Sequence, residues 1–200
     1  MYFCSQKLSA VNDFDNDITH SLTTLHSGGL ILYPTDTIWG IGCDATDPAA
    51  VAKVYALKQR EAAKSLIVLV ADRRDLLKYT SAPDLRIFDF LDTVTKPTTV
   101  IYHGAIGLAP NLVNEDGTIA IRLVEDDFCR HLIKRFRKPL VSTSANISGD
   151  TAPAFFGDID ERIKAGVDYI VEHRRNDQTP REPSAIIKWN PDGTPTTIRP

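Results

Sequence analysis

Leu30-Ile31-Leu32-Tyr33-Pro34-Thr35-Asp36-Thr37-Ile38-Trp39-Gly40 is the stretch that decides the fold class. An apolar run of four residues closed by proline reads as a short buried strand. A hydroxyl- and glycine-bearing turn follows it, with Gly42 just beyond. Sheets of α/β proteins gather ligand groups at such strand ends, and glycine lets a ligand approach the backbone closely. Composition alone favours a plainer turn in which Thr and Asp satisfy local backbone.

Working outward, Ile18, Leu22 and Leu25 recur at helical spacing, so 15–26 reads as a helix stopped by Gly28 and Gly29. On the other side, Asp47 and Pro48 are a good helix start. That helix runs to about Leu57 or Lys58, with Val51, Val54 and Tyr55 on one face. Residues 66–70 read as a second buried strand, 72–79 and 83–91 as short helices, and 98–102 and 118–123 as strands. A helix over 128–136, a short strand at 140–142, a helix near 158–164 and strands at 167–171, 184–189 and 195–199 complete the chain. Helices and strands alternate, but several strands lack an intervening helix. The expectation is a single α/β domain over residues 1–200 with a mixed sheet.

The chain has 200 residues and a net charge of −3, so a role in coating nucleic acid broadly is disfavoured and any phosphate site must be local. Cys4, Cys43 and Cys129 are far apart and show no metal-ligand spacing. His20, His26, His103, His131 and His173 form no pair suited to a metal or a triad. Neither a secretory leader nor an apolar run of spanning length is visible, which points to a cytoplasmic protein with no membrane partner. Arg174 and Arg175 read as a solvated charge pair.

Beyond the first turn, three stretches could carry chemistry. Lys58-Gln59-Arg60, with Lys64 beyond, brings three cations to the end of a helix, where polyphosphate could be offset. Plain cations complementing the helix dipole are the commoner explanation of such clusters. No Gly-rich phosphate loop occurs. Within Thr118 to Arg122, alternation puts 118, 120 and 122 on one face, so Thr and Arg can share a cleft or merely face solvent. Leu140 to Gly149 is a short strand running into Ser142, Thr143, Ser144, Asn146 and Ser148. Such a loop can present donors to phosphate or carboxylate, or be an ordinary polar turn.

In order and identity, PTDTIWGIG at 34–42, KQR at 58–60, TIAIR at 118–122 and PLVSTSANISG at 139–149 together resemble the YrdC family. Pro183 to Ile186 and Ile198 to Pro200 are similar to its closing motifs. The resemblance covers about 15–200. It departs at Glu61, where proline is usual, and at Val94 to Thr99. It implies a twisted sheet with flanking helices around a large basic cavity, and synthesis of threonylcarbamoyl-adenylate from L-threonine, bicarbonate and ATP, with Mg2+ assisting. Carried over by position, Lys58, Arg60, Lys64, Thr118, Ser144, Asn146 and Arg199 would meet the nucleotide, Lys58 and Arg60 acting catalytically. Thr35, Arg122, Ser142 and Ser184 would hold threonine. No residue is expected to ligate a metal. The product would feed N6-threonylcarbamoyl modification of adenosine 37 in tRNA through a downstream transferase complex. An RNA-binding module with such a cavity, or a relative with another small substrate, remains the alternative.

Overall fold

The computed structural model describes residues 13–60, 66–81 and 83–200, so Cys4, Glu61 and Lys64 lie outside the described residues. Helix α1 spans Asp15–His26, with Asp15 and Asp17 in its first turn, where carboxylates complement the helix dipole. It leads into strand β1, Ile31–Tyr33, which is fully buried. The turn expected after it contains a strand of its own, β2, Gly40–Gly42, paired antiparallel with β1. Two glycines carry no strand propensity, which hid it. They are there for space: a Cβ on Gly42 would sit 2.6 Å from the Tyr33 ring and 3.0 Å from the Val141 carbonyl.

Helix α2, Pro48–Lys58, starts as expected, with the Asp47 side chain accepting from the Ala49 amide. Strand β3 (Ile67–Val70), helices α3 (Arg73–Tyr79) and α4 (Arg86–Leu91), and strands β4 (Thr98–His103) and β5 (Thr118–Leu123) follow. Helix α5 (Asp127–Phe136) is capped by Asp126, which accepts from the Cys129 amide. Strand β6 (Leu140–Ser144) runs two residues further than the sequence suggests. The helix expected near 158–164 splits into a 3-10 turn at Phe156–Asp158 and α6, Glu161–Ala165. Asp160 caps the latter through the Arg162 amide and so fixes its start. Strands β7 (Tyr169–Ile170), β8 (Ala185–Trp189) and β9 (Pro195–Arg199) end the fold.

The strands form one mixed sheet in the order β7-β1-β2-β6-β3-β5-β4-β8-β9. Strand alternation sorts side chains onto two faces. Leu32, Val68, Val70, Ile119, Ile121, Val141 and Ile187 enter a core shared with α2. Ile31, Tyr33 and Leu69 enter a second core under α1 and α5. Those two helices cover only part of their face, which leaves a strip across β2, β6, the start of β3, β5, β4 and β8 without a helix over it. The segment after β7 is tied down by buried Asp17, whose carboxylate accepts from the Tyr169 hydroxyl and the amides of Glu172 and His173. Arg174 and Arg175 are not a solvated pair: Arg174 bonds Asp126 at 2.6 Å and Arg175 bonds the carbonyls of Val171 and Ile170. Among the described residues no helix is long and apolar enough to cross a membrane.

Candidate functional site

The uncovered strip is a cavity of about 300 Å³. Register explains its lining. Ser142 of β6 lies opposite Ile67 of β3, Ile67 opposite Ala120 of β5, and Ala120 opposite Ile101 of β4. One step along, Arg122 lies opposite Thr99, and Thr99 opposite Ile186 of β8. The expected shared face of β5 therefore exists, but Ala120 and Arg122 line the cavity while Thr118 does not. Thr118 is buried beside it. Its hydroxyl donates to Asp116 at 2.6 Å and accepts from Asn114, which does line the cavity.

Arg122 is 3% exposed, and a buried guanidinium needs a counter-charge. Asp36 supplies it, Oδ1 lying 3.0 Å from Nη2, while Nη1 donates to Thr37 Oγ1 at 3.2 Å. The Asp36 contact lacks hydrogen-bond alignment, so Nε and Nη2 keep unspent donors. Burial raises the Asp36 carboxyl, against the pull of Arg122. Thr35 holds the turn in shape. Its hydroxyl donates to the Ile38 carbonyl, accepts from the Thr37 amide and lies 2.9 Å from Thr37 Oγ1. Outside the cavity, Arg174 and Arg181 both donate to the Thr35 carbonyl.

At the end of α2 the chain must send two neighbouring cations different ways. Gln59 does this by entering the left-handed region, φ 50 and ψ 43, so the Arg60 amide reaches back to the Tyr55 carbonyl. Lys58 then turns inward and is 1% exposed. Its ammonium donates to the carbonyls of Ser144 at 2.5 Å and Asn146 at 2.6 Å, and its own carbonyl accepts from the Ser148 amide. Lys58 is thus the pin of the loop after β6. Burial, with Arg60 close by, pulls its ammonium down to about 8. Arg60 turns to the cavity, and burial lowers its guanidinium as well.

On the far wall, Arg199 of β9 donates Nε and Nη2 to the Ser184 carbonyl at 3.0 and 2.7 Å, and Ser184 Oγ lies 2.8 Å from Thr99 Oγ1. Burial lowers the Arg199 guanidinium, and the nearby charge of Arg122 lowers it further.

Of the candidates, Arg60, Arg122, Ser142, Ser144, Ser184 and Arg199 line this one cavity. Lys58, Asn146, Thr35 and Thr118 stand behind the lining. The Asn146 amide nitrogen is spent on the carbonyls of Ile147 and Asp150. Thr37, Trp39, Thr143 and Asn114 line the cavity without having been singled out. Thr37 and Trp39 fall inside the quoted turn, where alternation from Thr35 could have flagged Thr37. Asn114 had no signal. Among the described residues no carboxylate belongs to the lining. Cys43 and Cys129 are buried with their thiols pushed up, which removes them as nucleophiles.

The family model Sua5_yciO_yrdC, described as telomere recombination, matches residues 23–200. A threonylcarbamoyl-AMP synthase of Pseudoalteromonas translucida is 31% identical over 172 residues, covering 84% of this chain and 91% of that protein. Another, of Idiomarina loihiensis, is 35% identical over 148 residues, covering 72% and 79%. Sua5 of P. abyssi, complexed with L-threonine, superposes with a TM-score of 0.80 at 22% identity. The match covers 92% of this chain and 53% of that one, so the chain spans about half the length of that protein.

Proposed function

From the premise that the chain belongs to the Sua5/YciO/YrdC family, we propose that its cavity makes threonylcarbamoyl-adenylate from L-threonine, bicarbonate and ATP. One observation carries the reading. Guanidiniums from the turn after α2, from β5 and from β9, and hydroxyls from β6 and from Ser184 just before β8, line a single cavity in whose wall the described residues place no carboxylate. Such a wall suits ligands that bring several negative charges.

The amine of threonine adds to the carbon of bicarbonate, water leaves, and a carbamate results. A carbamate oxygen then attacks the α-phosphorus of ATP and pyrophosphate departs. No protein nucleophile is needed, in keeping with the two inert thiols. Catalysis consists of holding the reactants in line and offsetting charge on the leaving group. In this reading Arg60 and Arg199 take the phosphates, with Ser144 beside them. Lys58 and Asn146 shape the loop that carries Ser144, and Thr118 orients Asn114. Lys64 stays an expectation from the resemblance.

Arg122 takes the carboxylate of threonine with its unspent donors, a forked match. Ser142 and Ser184 offer hydroxyls to the substrate, and Thr35 acts through Thr37. A valine in that place would leave buried hydroxyls unpaired, which is how such a site rejects it. The expected Mg2+ finds no protein cage. Among the described residues no group of three carboxylate, imidazole or thiol side chains converges. The metal would have to arrive on the phosphates, and no step here is routed through it.

Transfer to adenosine 37 of tRNA by a downstream complex, in the cytoplasm, completes the proposal. The test is pyrophosphate release by the purified chain, expected only when threonine and bicarbonate are both present. Equal ATP consumption without threonine would contradict it. The RNA-binding alternative predicts RNA retention that is indifferent to ATP.

A further inference from the structure

Asp36 pairs with Arg122, and it is not among the residues that line the cavity. It touches Arg122 from behind. Its remaining 14% exposure opens onto a second, smaller cavity of about 120 Å³ that Arg73, Lys96, Thr98 and Glu125 help to line. Arg122 has few restraints otherwise. It is buried between Leu69 and Thr99 in register, and among the described residues Thr37 Oγ1 is its one aligned acceptor. A guanidinium with several rotatable bonds and one neutral acceptor does not stay in one orientation without a fixed counter-charge.

We propose that Asp36 is a positioning residue: its carboxylate, held on the 34–37 turn, fixes the Arg122 fork so that the unspent donors meet the carboxylate of the amino-acid substrate. This rests on the reading of Arg122 given above. Three features support it. The contact is an ion pair by distance and leaves the buried Nε and Nη2 without an aligned acceptor, a demand that an incoming carboxylate would meet. The turn bearing Asp36 is itself braced by Thr35 inside and by Arg174 and Arg181 outside. Finally, Asp36 sits outside the cavity, where it can direct Arg122 without occupying the substrate's place.

The test compares Asp36→Asn, Asp36→Glu and Arg122→Ala in the full chain, measuring KM for threonine, KM for ATP and kcat. Loss of one charge-assisted support should raise KM for threonine about tenfold in Asp36→Asn, with KM for ATP and kcat within about twofold. Asp36→Glu keeps the charge and should fall between wild type and Asp36→Asn. A threonine KM unmoved in Asp36→Asn while Arg122→Ala raises it would overturn the proposal. So would a parallel rise in both KM values, the mark of a merely structural role. If Arg122→Ala leaves threonine KM unmoved, the substrate reading fails first and Asp36 falls with it. Should Asp36→Asn not fold, the ratio of the two KM values in Asp36→Glu decides, a raised threonine-to-ATP ratio supporting the role and an unchanged one refuting it.

Discussion

Lys58 is the residue whose placement departs most from what its position suggests. A lysine at a helix end is ordinarily solvated, yet this one is buried and spends its ammonium on two loop carbonyls. With its proton held only to about 8, it is charged below that pH and neutral above it. Loss of the charge weakens its grip on the Ser144–Asn146 backbone, so turnover should fall as pH rises through about 8. A Lys58→Met variant should be slow and lack that alkaline limb; a limb that persists in it would assign the ionisation elsewhere. Arg60 makes the complementary case, since its side chain faces the cavity rather than the loop. Arg60→Ala should cut kcat/KM at least about a hundredfold, the scale seen when one transition-state donor is removed, while circular dichroism stays native. Near-normal turnover would remove Arg60 from the phosphate site.

Among the elements, β2 is the instructive one. Gly42 is a glycine because the Tyr33 ring and the Val141 carbonyl leave no room for a Cβ there. Gly42→Ala should therefore cost about 1–3 kcal/mol by overpacking, measurable as a lowered denaturation midpoint. An unchanged midpoint would mean that the Tyr33 ring can move aside. What was legible in the sequence was local. The cap at Asp47 and Pro48 set the start of α2, and alternation along 118–122 put Arg122 on the face that became the cavity. What was not legible depended on distant partners. Nothing near Lys58 tells that its acceptors lie 86 and 88 residues onward. Nothing near Asp36 announces Arg122, because the pair meets only once β1 and β5 share a sheet. Asn114 sits in an irregular loop where neither period applies.

At the scale of the whole molecule, a chain of net charge −3 brings Arg60, Arg122 and Arg199 to one cavity. The sheet order makes this compatible: it draws β5, β6 and β8 together from distant parts of the chain, while carboxylates such as Asp17, Asp44 and Asp126 are engaged elsewhere. The central claim is that this cavity joins an amino acid, a one-carbon unit and a nucleotide in one product. The most direct measurement is mass detection of that product after incubation with threonine, ATP and isotopically labelled bicarbonate. The account predicts a threonylcarbamoyl adduct of AMP that carries the label and vanishes when any one substrate is withheld. An adenylate that forms without bicarbonate, or that never carries the label, would contradict it.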